Sequence, residues 1–192
     1  MINKDGGADE DIKCRINKAR CAFNSLRPMW RSTALSLRSK IGLFNSNVKA
    51  VLLYGSETWR VTKTNTDKLQ AFVKKCLRHI LKIRWPDKIS NKDLWRTLKQ
   101  RPIETDVKAR KWGWIGHTLR KEKENIARHA LDWNPQGKRR VGRPRKTWRR
   151  TVEEEAKTAG LTWAQIKGAA QNRVRWKCVT ADFFSPGAIK DR

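Results

Sequence analysis

The spacing of apolar residues along this chain is helical almost throughout. The clearest stripe runs over residues 69–81, where apolar side chains recur at intervals of three and four for three turns. Its members are Leu69, Phe72, Val73, Cys76, Leu77, Ile80 and Leu81. We therefore predict one amphipathic helix over about 68–82, with Phe72, Leu77, Ile80 and Leu81 largely buried.

Similar stripes and helix-ending residues predict further helices on both sides of this one. The expected ranges are 9–26, 33–54 with a weak middle at residues 42–47, 90–98, 102–120, 124–133, 147–160, and one last helix from about 163. Ser90 and Thr162 each precede an Asp or Gln by three positions, a spacing typical of helix N-caps. In the last helix, Ile166, Ala169, Ala170, Val174 and Trp176 are available for burial. We find no strand-like alternation, so the fold class predicted is all-α.

Two composition changes suggest how the chain is divided. Trp85-Pro86 ends the clearest helix, because a residue before proline avoids the helical region. We therefore predict a helical segment over 1–85 and a basic, Gly/Pro-interrupted helical region over 86–192. Within the second region, a turn at residues 134–137 opens a cationic loop that we expect to be flexible over about 134–147.

Charge narrows the classes of partner. The 192 residues include 45 Lys plus Arg and 18 Asp plus Glu, for a formal net charge of +27. The excess is spread along the chain, with +12 in residues 1–85 and +15 in residues 86–192. Such self-repulsion favours a polyanionic partner, with nucleic acid first and an anionic membrane surface second.

No segment of the sequence reads as a membrane or export signal. No apolar run approaches the roughly 20 residues of a membrane-spanning helix. Residues 1–11 are acidic and Gly-rich, unlike a secretory leader. The four cysteines lie far apart, which is typical of reduced, mostly buried thiols. We expect an intracellular protein that makes no use of membranes and is nuclear at least in part, because its basic clusters suit nuclear import.

The densest basic segment covers residues 136–150 and contains no acid. Its eight cations are Lys138, Arg139, Arg140, Arg143, Arg145, Lys146, Arg149 and Arg150. Gly142 and Pro144 favour a thin, extended backbone that can follow phosphates. Three interpretations remain open: a phosphate-binding loop, an AT-hook-like reader of the minor groove with Val141 where that motif has Arg, or a solvated linker or import signal.

A second cationic surface lies on the polar face of the 68–82 helix, at Lys74, Lys75 and Arg78. One interpretation is an ordinary solvated helix face. The other is a helix laid along a nucleic-acid backbone, which would bind RNA or DNA through phosphates and tolerate many sequences.

Metal and catalytic chemistry find little support in the sequence. Cys76 and His79 are three apart, but His117 and His129 offer no second close pair, and no CxxC occurs. The acidic clusters at 9–11 and 153–155 read as helix features, and Glu153–Glu155 are expected to pair with Arg149, Arg150 or Lys157. We predict no metal site, no cofactor and no catalytic residue.

Several ordered stretches resemble the C-terminal part of reverse transcriptases from non-LTR, LINE-type retrotransposons, most closely the RTE group. They are DIKCRINKAR (11–20), LLYGSETW (52–59), LRHILKIRW (77–85), ISNKDLW (89–95), WGWIGHTLR (112–120), DWNPQGK (132–138) and GRPRKTW (142–148). The resemblance implies a thumb-like helical bundle followed by a basic region that holds template RNA or target DNA.

The same resemblance implies that catalysis belongs upstream. The family's catalytic Asp pair precedes this region, and no Asp-Asp dipeptide occurs here. We therefore expect a nucleic-acid-binding fragment that lacks the palm. The missing palm would then be a protein partner of this fragment. Two alternatives remain: an independent helical DNA- or RNA-binding protein that uses the Gly-Arg-Pro segment, and a non-functional remnant of a degenerate element.

Overall fold

The computed structural model describes residues 8–83, 87, 89–132 and 147–182. Within those ranges the chain forms helices and turns and contains no β-strand, which confirms the all-α prediction. The helices belong to two compact units, residues 1–107 and 108–192, each with its own apolar core. The predicted flexible loop at 134–147 lies almost entirely outside the described residues.

The first unit is built from short helices around a long one. Its helices are α1 (Asp9–Ser25), α2 (Arg27–Arg31), α3 (Leu37–Leu43), a π-helix (Phe44–Lys49), α4 (Ala50–Leu52), a 3-10 turn (Ser56–Thr58), α5 (Lys63–Ile80) and α6 (Asn91–Leu98). α7 (Ile103–Leu119) begins in this unit and continues into the second. The core gathers side chains from the α-helices and the π-helix, including Ile12, Trp30, Phe44, Leu52, Leu69, Leu77 and Leu94.

Side-chain caps fix where several helices begin. Thr62 accepts a hydrogen bond from the backbone N–H of Asn65, and Ser90 accepts one from that of Asp93. Thr162 and Gln165 form the complete reciprocal capping box that the sequence predicted. Each cap satisfies a backbone donor that the helix itself leaves without a partner.

The predicted 33–54 helix does not break at its weak middle. The helix continues there as a wider, π-helical turn. Residues 44–49 adopt π-helical geometry, with the Asn47 side-chain amide donating to the carbonyl oxygen of Leu43 at 3.1 Å. Phe44, Val48 and Leu52 are all fully buried at intervals of four. A π turn holds more residues than an α turn, so this spacing keeps the three side chains towards α1.

The apolar stripe of α5 forms as predicted, but its members differ in how deeply they are buried. Leu77 and Ile80 are buried, whereas Phe72 and Leu81 are half-buried against the same core. The helix ends at Ile80, before the Trp85-Pro86 stop, because Lys82 adopts a left-handed backbone with φ of 58°.

The second unit contains the rest of α7 together with α8 (Ile126–Asp132), α9 (Trp148–Thr158), α10 (Trp163–Gln171) and α11 (Arg173–Asp182). Its core includes Trp112, Ile115, Leu131, Val152, Ile166 and Trp176. Lys111 is buried there, and its ammonium donates to Glu155 Oε1 at 2.7 Å while the Trp112 indole donates to Oε2 at 2.8 Å. The core therefore holds a paired charge.

The boundary between the units follows from where residues 89–107 pack. The sequence predicts this boundary near Trp85-Pro86, and neither of these residues is among those that the structure describes. In the structure the backbone N–H of Ile103 donates to the Gln70 side chain at 3.0 Å, and Lys49 forms an ion pair with Asp106. These contacts, with the buried Leu94, Leu98 and Val107, join residues 89–107 to the first core.

Pro28 lies in the first turn of α2, where its missing N–H costs nothing, and α1 ends at Ser25, one residue before the predicted limit. Two details of the predicted last helix are wrong. The last helix breaks at Asn172, whose side chain accepts from the backbone N–H groups of Val174 and Arg175. The break turns Val174 outward, so that it is 72% exposed, although Ile166, Ala169, Ala170 and Trp176 are buried as predicted.

Candidate nucleic-acid interface

The C-terminal half of α5 presents its cations on the side opposite its buried stripe. Cys76, Leu77 and Ile80 enter the first core, which directs the intervening residues outward. Lys75 is exposed, and Lys74 and Arg78 are half-buried. A long cationic side chain at such a position covers its neighbours with its methylenes and keeps the charge in water.

These cations surround an open groove of about 480 Å³. Among the described residues, its lining consists of Ala71, Lys74, Lys75, Arg78, His79 and Ile83. None of these carries a carboxylate, and the sequence has no Asp or Glu from residue 68 to residue 86. The described lining therefore contributes three cations and no anion to the groove.

The cations differ in how they are held. The Arg78 guanidinium donates through Nη2 to Asn91 Oδ1 at 2.9 Å, across the connection between α5 and α6. This bond orients the guanidinium and leaves its charge uncompensated, because an amide oxygen is neutral. Within the described ranges, neither Lys74 nor Lys75 forms an ion pair with a carboxylate.

The His79 ring is supported from behind by two aromatic residues of α1 and α2. It packs edge-on against Phe23, with 5.5 Å between the ring centroids. Phe23 in turn stacks on Trp30 at 5.2 Å, and the Trp30 indole donates to the Phe23 carbonyl at 2.8 Å. His79 is exposed on its other side, so the core holds the imidazole in place at the edge of the groove.

The turn after α5 borders the groove at the C-terminal end of that helix. Lys82 has a left-handed backbone, and the N–H of Ile83 donates to the Arg78 carbonyl at 3.1 Å. Such a cap folds the next residue back over the last helical turn. Ile83 thereby contributes an apolar surface beside the Arg78 cation.

Most cations of the basic segment over 136–150 lie outside the described residues: Lys138, Arg139, Arg140, Arg143, Arg145 and Lys146. Arg149 and Arg150 are described and stand in the first turn of α9, in the second unit. Arg149 is held within that unit, through an ion pair with Glu153 at 3.3 Å and a hydrogen bond to the Asp132 carbonyl at 3.4 Å. Its pairing with Glu153 is one that the sequence predicted.

Asp132 is an anchor next to this segment. Its carboxylate accepts from Lys167 at 3.0 Å and from the Trp163 indole at 3.3 Å. Partial burial by itself would raise the pKa of Asp132, but these two hydrogen bonds and the charges of Lys167 and Arg149 outweigh it and lower the pKa. Asp132 thus stays ionised and ties α8 to α10.

Cys76 is buried, and that burial raises the pKa of its thiol to about 12. Cys14, Cys21 and Cys178 are exposed, so the expectation of mostly buried thiols is wrong. Among the described residues no three His, Cys, Asp or Glu side chains are grouped to hold an ion.

Four contributors to the groove were not singled out by sequence reasoning. His79 was considered only as a metal ligand, and Ala71, Ile83 and Asn91 were given no role. Helical spacing places Ala71 and His79 on the same face as Lys74, Lys75 and Arg78, so the sequence does contain a signal for these two residues. Ile83 and Asn91 depend on the turn after α5, which the sequence pattern does not specify.

None of the described helices is both long enough and apolar enough to cross a bilayer.

Comparisons with known proteins connect the chain to mobile elements. Residues 22–54 match the model of a family described as a domain of unknown function (DUF6451). Over 190 residues the chain is 27% identical to a Caenorhabditis elegans protein named as an uncharacterized transposon-derived protein, a match that covers 93% of this chain and 67% of that protein. No solved structure shows a significant match. The similarity supports a transposon origin for this chain.

Proposed function

We propose that this chain is a nucleic-acid-binding segment of a retrotransposon reverse transcriptase and has no catalytic activity of its own. The observation that carries the proposal is the groove beside α5, where Lys74, Lys75 and Arg78 converge without a carboxylate. The similarity to a transposon-derived protein and the motifs of LINE-type reverse transcriptases support the same conclusion.

The chemistry of the groove suits phosphates better than other anions. Arg78 is oriented by Asn91, so its remaining N–H groups are available in a fixed fork that matches a phosphate. Lys74 and Lys75 add two mobile charges at the same rim. Contacts of this kind neutralise a phosphodiester backbone whatever the sequence of its bases.

The chain is expected to work beside a catalytic palm supplied by the rest of such a polymerase. The RNA or DNA held here would then be the polymerase's template or target. The cationic segment over 138–150 is proposed as a second region of contact with phosphates, on the strength of its sequence.

The dependence of affinity on salt tests the proposal directly. Each phosphate contact on a single strand contributes about −0.7 to the slope of log affinity against log salt. Replacing Lys74, Lys75 and Arg78 by Gln should therefore make that slope shallower by about 2 and weaken binding to all sequences alike. The measurement is fluorescence anisotropy with labelled RNA and DNA strands at several salt concentrations.

The matched control removes the same charges elsewhere in the first unit. Lys18, Arg38 and Lys63 are exposed residues that do not line the groove. Their replacement by Gln should change the slope much less. Equal effects of the two triple variants would reject the groove as the binding surface, and a full chain without measurable affinity would reject the proposed function.

A second experiment addresses catalysis. We expect no DNA synthesis from the purified chain on a primed RNA template with Mg²⁺ or Mn²⁺, because the sequence contains no Asp-Asp pair to organise metal at the primer end. Primer extension that co-purifies with this chain, and that disappears with it on immunodepletion, would contradict this expectation.

A further inference from the structure

The groove beside α5 is more than a row of charges. Its three cations border a concavity of about 480 Å³. That volume falls within the range of about 300–1,000 Å³ typical of small-molecule sites, and it far exceeds what one phosphate group fills.

The lining of the groove is also chemically divided. Lys74, Lys75 and Arg78 supply positive charge, whereas Ala71, Ile83 and the ring of His79 supply small, apolar and aromatic surface. A ligand that satisfies both parts has an anionic end and a flat, weakly polar end.

We infer that this groove is a site for one nucleotide of a single-stranded nucleic acid. Its phosphate contacts the three cations, and its base lies against His79 and Ile83 over the open position at Ala71. In a duplex the bases are stacked and paired inside the helix, so only an unpaired nucleotide can place both parts in the groove. The inference rests on the proposed function and names the form of nucleic acid that the site prefers.

The support behind His79 is what makes the base contact specific to this place. Phe23 packs on the imidazole and is itself stacked on Trp30, so the ring is held before any ligand arrives. Pre-ordering reduces the entropy that is lost on binding. An imidazole ring on a mobile surface side chain would not offer the same platform.

A steric block separates base recognition from phosphate binding. Ala71 is an exposed helical residue, so Ala71→Phe should fold, fill the groove and leave every charge in place. Base stacking contributes about 1–3 kcal/mol, and we expect Ala71→Phe to weaken single-strand binding about tenfold and duplex binding by less than about twofold. Ala164→Phe, on an exposed position of α10, is the matched control and should change neither affinity.

Equal loss of single-strand and duplex binding in Ala71→Phe, or no loss of either, would overturn the inference while leaving the proposed function standing. If the unaltered chain binds no nucleic acid at all, the proposed function itself fails.

A measurement on the unaltered chain does not depend on the folding of any variant. A single strand carrying 5-iodouridine should cross-link, on irradiation, to the peptide that contains His79 and Ile83, as mapped by mass spectrometry. Cross-links confined to other segments would overturn the assignment of the site.

Discussion

At the scale of single residues, position 116 in α7 has no space for a methyl group. A Cβ built on Gly116 would overlap the indole ring of Trp176, which lies directly against the helix backbone in the second core. Gly113, one turn earlier in the same helix, is exposed and faces open space. The two glycines therefore have different roles, although they look alike in the sequence.

Gly116→Ala is expected to destabilise the second unit by about 1–3 kcal/mol, since an overpacked core must displace Trp176 or bend the helix. Gly113→Ala should instead stabilise the helix by up to about 1 kcal/mol, because alanine is the better helix former. Urea unfolding followed by tryptophan fluorescence measures both free energies. A Gly116→Ala variant as stable as the parent would show that the indole moves aside freely.

Buried apolar residues on regular stripes could be predicted from the sequence, and buried polar ones could not. Leu77 and Ile80 repeat with the period of the helix, so their burial follows from position alone. Lys111 is buried because Glu155, 44 residues away, accepts its hydrogen bond. A long-range partner of that kind leaves no trace in a local pattern.

At the scale of helices, capping residues were the most reliable signals. Ser90 and Thr162 cap their helices as the spacing predicts. Each hydroxyl accepts from the backbone N–H three residues later, and such a contact depends only on the local sequence. The apolar residues of α7 are divided between the two cores, a division that the local pattern does not indicate. Ile103 and Val107 belong to the first core, whereas Trp112, Ile115 and Leu119 belong to the second.

Two helices end at a lysine with a left-handed backbone, Lys82 after α5 and Lys99 after α6. A side chain in this conformation costs about 1–2 kcal/mol, and glycine avoids that cost. Lys82→Gly and Lys99→Gly should each therefore increase the free energy of unfolding by about 1 kcal/mol, as measured in urea.

The pair also separates stability from binding. Lys82 precedes Ile83 at the end of the groove, whereas Lys99 follows a different helix. We expect Lys82→Gly to weaken nucleic-acid binding more than Lys99→Gly does, although both variants lose one charge. Identical losses of affinity would assign Lys82 no local part in binding.

At the scale of the whole molecule, a net charge of +27 opposes compaction. Screening by salt reduces that repulsion, and a polyanion that binds only the folded chain adds binding free energy to folding. We expect the midpoint of thermal unfolding to rise with NaCl and to rise further with heparin, in scanning fluorimetry at constant protein concentration.

The triple Gln variant of Lys74, Lys75 and Arg78 provides the control for this effect. It should keep most of the response to NaCl, since its net charge remains high, and lose part of the additional response to heparin. A midpoint that falls on addition of heparin would mean that the polyanion binds the unfolded chain preferentially.

At the candidate site, the sequence predicts the charged residues but not the shape of the groove. The face with Lys74, Lys75 and Arg78 follows from helical periodicity. The concavity does not, because Ile83 reaches it only through the left-handed turn at Lys82, and His79 is held there by Phe23, a residue far away in the sequence. Charge could thus be predicted, and shape could not.

The π-helical turn at residues 44–49 has a consequence for how relatives of this chain should be compared. Such a turn accommodates one residue more than the α-helix around it, so it has the form of an absorbed insertion. Deleting one residue here would restore α geometry and leave Phe44 and Leu52 seven residues apart, a spacing that an α-helix also places on one face. Leu52 would therefore stay in the core, so a homologue with a one-residue gap between 44 and 49 can keep the same packing against α1, and alignments of this region should allow a gap there.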